Sequence, residues 1–217
     1  MKAKTVDVPL IPLNAVLFPT TRLPIRIFEE RYKRLYADKL KGGGTFGIVL
    51  IKEGVEAGGD LATPFDVGTL AEVETVDQHG DDLFLLCRGT QRFRIHELKT
   101  DAPYLVGRVE LLEENKRATA AESAAAAELQ KRFADYLERF RAFARAMGGE
   151  LRAPEPAQDA TPHERVFGIA LTLPLNLEQK QALLETHDFG EFIVRLSQLL
   201  EREAEFLRPA LDDPSVA

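Results

Sequence analysis

Four prolines, Pro9, Pro12, Pro19 and Pro24, punctuate the stretch Pro9 to Leu35 (PLIPLNAVLFPTTRLPIRIFEERYKRL), and they constrain the fold more than any other feature of the chain. Each proline fixes its own φ and pushes the preceding residue toward extended backbone. One continuous helix is excluded. The segment reads instead as a strand, a rigid turn-rich crossing and then an amphipathic helix. Phe28, Tyr32, Leu35, Tyr36 and Leu40 recur at helical spacing. Glu29 and Glu30 suit the positive end of its dipole, and Gly42, Gly43 and Gly44 stop it.

The first half of the chain otherwise reads as strands. Val6, Val8 and Leu10 alternate with Thr5, Asp7 and Pro9, a period-2 pattern in which Pro9 predicts an edge position. Phe46 to Ile51 is a wholly apolar run, hence a buried strand, and Lys52 to Asp66 reads as a loop. Val67 to Leu112 predicts four antiparallel strands, with a hairpin at Asp77 to Asp82 turning on Gly80. Gly68, Gly89 and Gly107 fall at strand positions, where glycine marks a bulge or tight corner and favours a small curved barrel over a flat sheet.

After Glu113 every periodic segment is helical. Leu129, Phe133, Tyr136, Leu137, Phe140, Phe143 and Met147 trace one face of a long helix. Thr161 with Pro162, Asn176 and Asp188 are placed to cap three further helices. The predicted division is a β part over 1–113, a join over 114–119, a helical part over 120–211 and a tail over 212–217.

Several segments in this order resemble the amino-terminal substrate-binding domain of Lon-type ATP-dependent proteases. They are PLNAVLFPTTRLPIRIFEERY (Pro12 to Tyr32), FGIVL (Phe46 to Leu50), VGTLAEV (Val67 to Val73) and LLCRGTQRFRI (Leu85 to Ile95). DAPYLVGRVELLEE, LPLNLEQKQALLE and RLSQLLERE complete the match. The resemblance implies an α+β fold, with a six-stranded PUA-like pseudo-barrel carrying one helix and then a C-terminal helical bundle. It also implies a stand-alone copy of that domain, because 217 residues do not hold an ATPase and a peptidase as well.

The chemistry of the full protease is missing from these residues. No GK[ST] follows a glycine-rich loop, as phosphate binding of the Walker type needs. Ser123, Ser197 and Ser215 lie in an alanine run, a helix and the tail, and none sits in a nucleophile elbow. His79, His96, His163 and His187 lack metal-ligand spacing, and Cys87 lies inside an apolar strand as an inert thiol. No catalytic, metal or cofactor site is expected. No stretch approaches the ~20 apolar residues that span a bilayer. The amino terminus lacks a signal-peptide apolar run, which points to a cytoplasmic location.

The resemblance implies recognition of unfolded polypeptides or degrons without catalysis. The candidate contact residues are Leu17, Phe18, Pro19, Arg22, Leu23 and Ile25; the apolar ones among them sit on a proline-stiffened loop and cost little entropy to order. The competing reading makes Phe18 and Ile25 plugs of the barrel end and has Phe28 dock the helix. An extended peptide could lie between the barrel and the helical part or add to a strand edge. Two alternatives stand beside this: an adaptor for one specific folded partner, and RNA binding through Arg88, Arg92 and Arg94 on a PUA-like barrel. The net charge of −7 and the lack of aromatic residues interleaved with those arginines weigh against nucleic acid.

Overall fold

The computed structural model describes residues 5–56, 62–100, 102–113, 117–149 and 159–211. Along the chain these form β1 (Thr5–Leu13), β2 (Arg22–Ile27), α1 (Glu30–Leu35), β3 (Thr45–Glu53), β4 (Thr63–Pro64), β5 (Val67–His79), β6 (Asp82–Lys99) and β7 (Val106–Leu111). The helices α2 (Ala120–Ala146), α3 (Pro162–Thr172), α4 (Leu177–Glu185) and α5 (Phe189–Leu211) follow. Two compact units result. One joins Met1–Glu114 with Leu177–Glu185; the other joins Asn115–Asn176 with Thr186–Ala217.

In the first unit the strand pairings return on themselves. β1 pairs antiparallel with β7, β7 with β6, β6 with β5 and β5 with β3, while β3 runs parallel to β1 with Leu10 opposite Gly47. β2 attaches to the outside of this circuit along β6, with Pro24 opposite Leu86. Among the described residues, two apolar clusters fill its interior. One is built around Ile11, Leu35, Phe46, Ile48, Leu85 and Cys87, the other around Leu10, Val49, Phe93 and Val109. The glycines serve close approach. A Cβ on Gly68 would lie 2.7 Å from the Phe93 ring, and one on Gly89 would collide with the Phe18 carbonyl. Gly80, at φ 62°, turns the hairpin between β5 and β6.

The strands differ from the sequence expectation in four places. Arg22–Ile27 is a strand rather than part of a turn-rich crossing. Pro24 is tolerated there because, among the described residues, β2 pairs only with β6 and its other side is an edge, where a missing N–H costs no ladder bond. Thr63–Pro64 forms a short strand inside the expected loop. Asp82–Lys99 is one strand of 18 residues rather than two. β1 is not an edge strand: β7 pairs with Thr5 to Pro9 and β3 takes over from Leu10, so Pro9 sits where the β3 ladder has not begun. α1 ends in a π-helical turn, Tyr36–Leu40.

In the second unit the helix starts follow local rules. Thr119 and Glu122 form a reciprocal capping box on α2, and Thr161 and Glu164 form another on α3 with Pro162 in the first turn. The Asp188 carboxylate accepts the Glu191 N–H at 2.8 Å at the start of α5. Phe167 meets Phe192 edge-on at 5.2 Å, and Leu129, Val166, Phe192 and Leu196 are buried. Among the described residues, no helix is long and apolar enough to cross a membrane.

Candidate functional site

The loop ahead of β2 is sewn into the core. Leu17 and Phe18 are 1% and 0% exposed, Pro19 is buried, and Ile25 faces inward. The Thr69 hydroxyl donates to the Leu17 carbonyl at 2.6 Å, and the Thr21 hydroxyl donates to the Phe18 carbonyl at 2.8 Å. A surface ligand does not reach these four apolar side chains. Of the six candidate contact residues, Arg22 is exposed and Leu23 is half-buried. Phe28, expected to dock the helix, is 47% exposed, and it shares a recess with Tyr32 of α1.

The alternation of β2 explains the exchange. Leu23, Ile25 and Ile27 turn toward the core, so Arg22, Pro24, Arg26 and Phe28 line the opposite face. The register sets them beside the outer residues of β6: Arg22 opposite Arg88, Pro24 opposite Leu86, Arg26 opposite Phe84. On the far side of β6, Thr75 stands opposite Leu86 and Asp77 opposite Phe84. This outer face therefore carries Pro24, Phe28, Phe84 and Leu86, and Phe84 is 40% exposed with the His79 ring edge-on at 5.3 Å.

Its arginines are held by carboxylates. Arg22 grips Glu74 through two hydrogen bonds of 2.6 and 3.0 Å, Arg26 meets Asp82 at 2.6 Å, and Arg88 meets Glu72 at 2.8 Å. The Arg26 guanidinium also lies 5.6 Å from the centre of the Phe28 ring. Pairs this exposed add ~0–1 kcal/mol each to stability. Their effect on the surface is larger, because neutralised arginines flank the aromatic groups and leave no cationic stripe for phosphate.

Of the three arginines considered for RNA, Arg94 is exposed, Arg88 is partly exposed and Arg92 is withdrawn from the surface. Arg88 is committed to Glu72, and Arg92 is 3% exposed, its Nη1 donating to the Leu184 carbonyl of α4 at 3.0 Å. Gln181 of α4 donates to the Val67 carbonyl at 3.0 Å and to Glu185 at 2.9 Å. Arg92 and Gln181 thus hold α4 on the sheet. Cys87 is fully buried, and burial, with a smaller push from Glu74, raises its thiol to about 12, which leaves no thiolate at neutral pH.

Below Phe28, between β1, β2 and α1, is a small recess lined by Ile11, Leu13, Ile27, Phe28 and Tyr32, with Arg26, Glu29 and Glu56 at its rim. Burial raises the Tyr32 phenol to about 12; the nearby Arg31 opposes this, and Glu29 and Glu56 reinforce it. The phenol is therefore a neutral hydrogen-bonding group at ordinary pH.

A family model, the ATP-dependent protease La (LON) substrate-binding domain, matches residues 7–202. The chain belongs to that family. Lon protease 2 of Myxococcus xanthus is 29% identical over 204 residues, 92% of this chain and 24% of that protein. Lon protease of Anaeromyxobacter dehalogenans is 28% identical over 204 residues, with the same shares. The chain thus spans about a quarter of the length of the curated relatives it matches. Among solved structures, the Lon N-terminal domain protein from Xanthomonas campestris superposes with a TM-score of 0.61 at 28% identity, covering 90% of this chain and 98% of that one. The N-terminal domain of Mycobacterium avium complex Lon protease reaches a TM-score of 0.66 at 19% identity, covering 92% and 98%, a likeness of fold. Among the described residues the domain is mixed α+β, with a sheet-rich part and five α-helices.

Proposed function

We propose that this Lon substrate-binding domain is a non-catalytic module that recognises unfolded polypeptide segments or degrons in the cytoplasm. Its sheet unit is read as a PUA-like pseudo-barrel and its second unit as a helical bundle. The observation that carries the reading is the outer face of β2 and β6, where Phe28 and Phe84 stand 47% and 40% exposed among neutralised ion pairs. Large apolar groups are exposed at a cost, and a cluster of them marks a contact surface. Covering the open part of each ring supplies ~1 kcal/mol. A few such contacts give a Kd in the micromolar to millimolar range, ~−8 to −4 kcal/mol. Side-chain docking on this outer face is favoured over strand addition at the β2 edge, because Pro24 removes a donor from the middle of that edge.

Fluorescence anisotropy with labelled, reduced and carboxamidomethylated α-lactalbumin tests this. Saturable binding that persists at high salt, resists competition by single-stranded RNA and yields to many unrelated peptides supports the reading. An absence of binding at high micromolar protein overturns it in favour of an adaptor for one folded partner.

A further inference from the structure

The recess beside Phe28 has a size and a charge that together describe what fits it. Its volume is about 20 Å³, roughly the room of one water molecule. A methyl group or the tip of an aliphatic side chain enters such a space; a phenyl or indole ring does not. Ile11, Ile27 and Tyr32 form its buried apolar floor, and an entering group meets chiefly the half-buried Leu13 and the exposed side of Phe28.

The rim is charged unevenly. Arg26 is neutralised by Asp82 at 2.6 Å, and Glu29 by Arg31 at 2.9 Å. Glu56 differs. Its carboxylate accepts the backbone N–H of Asn14 at 3.0 Å, and among the described residues it meets no cationic side chain. One negative charge at the mouth of an apolar recess is complementary to a cation carried next to an apolar anchor.

Resting on the polypeptide-recognition reading above, we infer that the recess takes the tip of an aliphatic side chain from an extended segment, and that Glu56 selects segments in which a Lys or Arg flanks that residue. The domain then prefers aliphatic-basic segments over aliphatic-acidic ones.

Three labelled peptides on one Gly/Ser host test this with the full chain by anisotropy at low ionic strength: Leu flanked by Lys, Leu flanked by Glu, and Ser flanked by Lys. The Leu–Lys peptide is expected to bind about two- to fivefold tighter than the Leu–Glu peptide, the range of one exposed ion pair, and the Ser–Lys peptide weakest of the three. Glu56→Gln keeps an acceptor for the Asn14 N–H and removes the charge. It is expected to erase the Lys-over-Glu preference, leave Leu–Glu binding no weaker and leave Tm unchanged. Equal binding of the two Leu peptides, or a preference that survives Glu56→Gln, overturns the selection by charge while polypeptide recognition stands. Equal binding of Leu–Lys and Ser–Lys overturns the aliphatic anchor. Failure of all three peptides while unfolded α-lactalbumin still binds overturns the recess as the contact. Failure of α-lactalbumin as well overturns the recognition reading itself.

Discussion

Arg92 and Leu184 lie 92 residues apart in sequence, yet the guanidinium of one donates to the main-chain carbonyl of the other at 3.0 Å. Leu184 is in the last turn of α4, where carbonyls lack helical partners and a cation complements the dipole. Arg92 is 3% exposed, so this hydrogen bond is made away from water. Arg92→Ala leaves a cavity in β6 and an unanswered carbonyl on α4. The expected loss is ~2–3 kcal/mol, read as a lower urea midpoint, with protease cutting near α4 appearing below the global transition. Arg92→Lys recovers part of it.

Gly89 is expected to tolerate no side chain. The Phe18 carbonyl lies where a Cβ would sit, and backbone hydrogen bonds between Gly89 and both Thr20 and Thr21 prevent retreat. Gly89→Ala should lower stability by ~1–3 kcal/mol, measured by urea denaturation. Gly42→Ala, where a Cβ meets open space, should change it little.

Phe28 and Phe84 separate binding from folding. Both are substantially exposed, so Phe28→Ser and Phe84→Ser should leave Tm nearly unchanged. Each should weaken binding of unfolded α-lactalbumin ~5-fold, the equivalent of ~1 kcal/mol of covered apolar surface. Phe18→Ser should instead lower Tm, since Phe18 is fully buried. Equal effects of Phe18→Ser and Phe28→Ser on Tm would contradict this division.

The alkaline limb of stability follows from two buried acids. Burial raises Tyr32 from 10.0 to about 12 and Cys87 from 9.0 to about 12. Each stays protonated in the folded chain at pH values where the unfolded chain releases its proton. Their contribution is full below pH 9, and it falls as pH rises from about 9 to about 12. Tyr32→Phe should flatten the part of the decline above pH 10, measured as urea midpoints against pH. The Cys87 thiol should react with a thiol reagent only at the rate of unfolding, and fast in urea.

Elements governed by neighbours in sequence were legible without a structure. Thr161 and Pro162 start α3, Asp188 starts α5, and Gly80 turns the β5–β6 hairpin, because each acts on groups within a few residues. The family resemblance was legible for a related reason, since it rests on the order of short apolar segments. What lay beyond the sequence depends on pairing across it. The strand character of Arg22–Ile27 needs β6 beside it, and Pro24 looked like a breaker until one side of that strand proved unpaired. Leu17 and Phe18 stood among the contact candidates, with a core reading beside it for Phe18, and carbonyl bonds from Thr69 and Thr21 put both inside. The same register turned Phe28 outward and buried Arg92 beneath α4. Apolar residues in a row state that some must be buried; which ones are buried is decided by strand register and by partners many residues away, and only the assembled sheet supplies them.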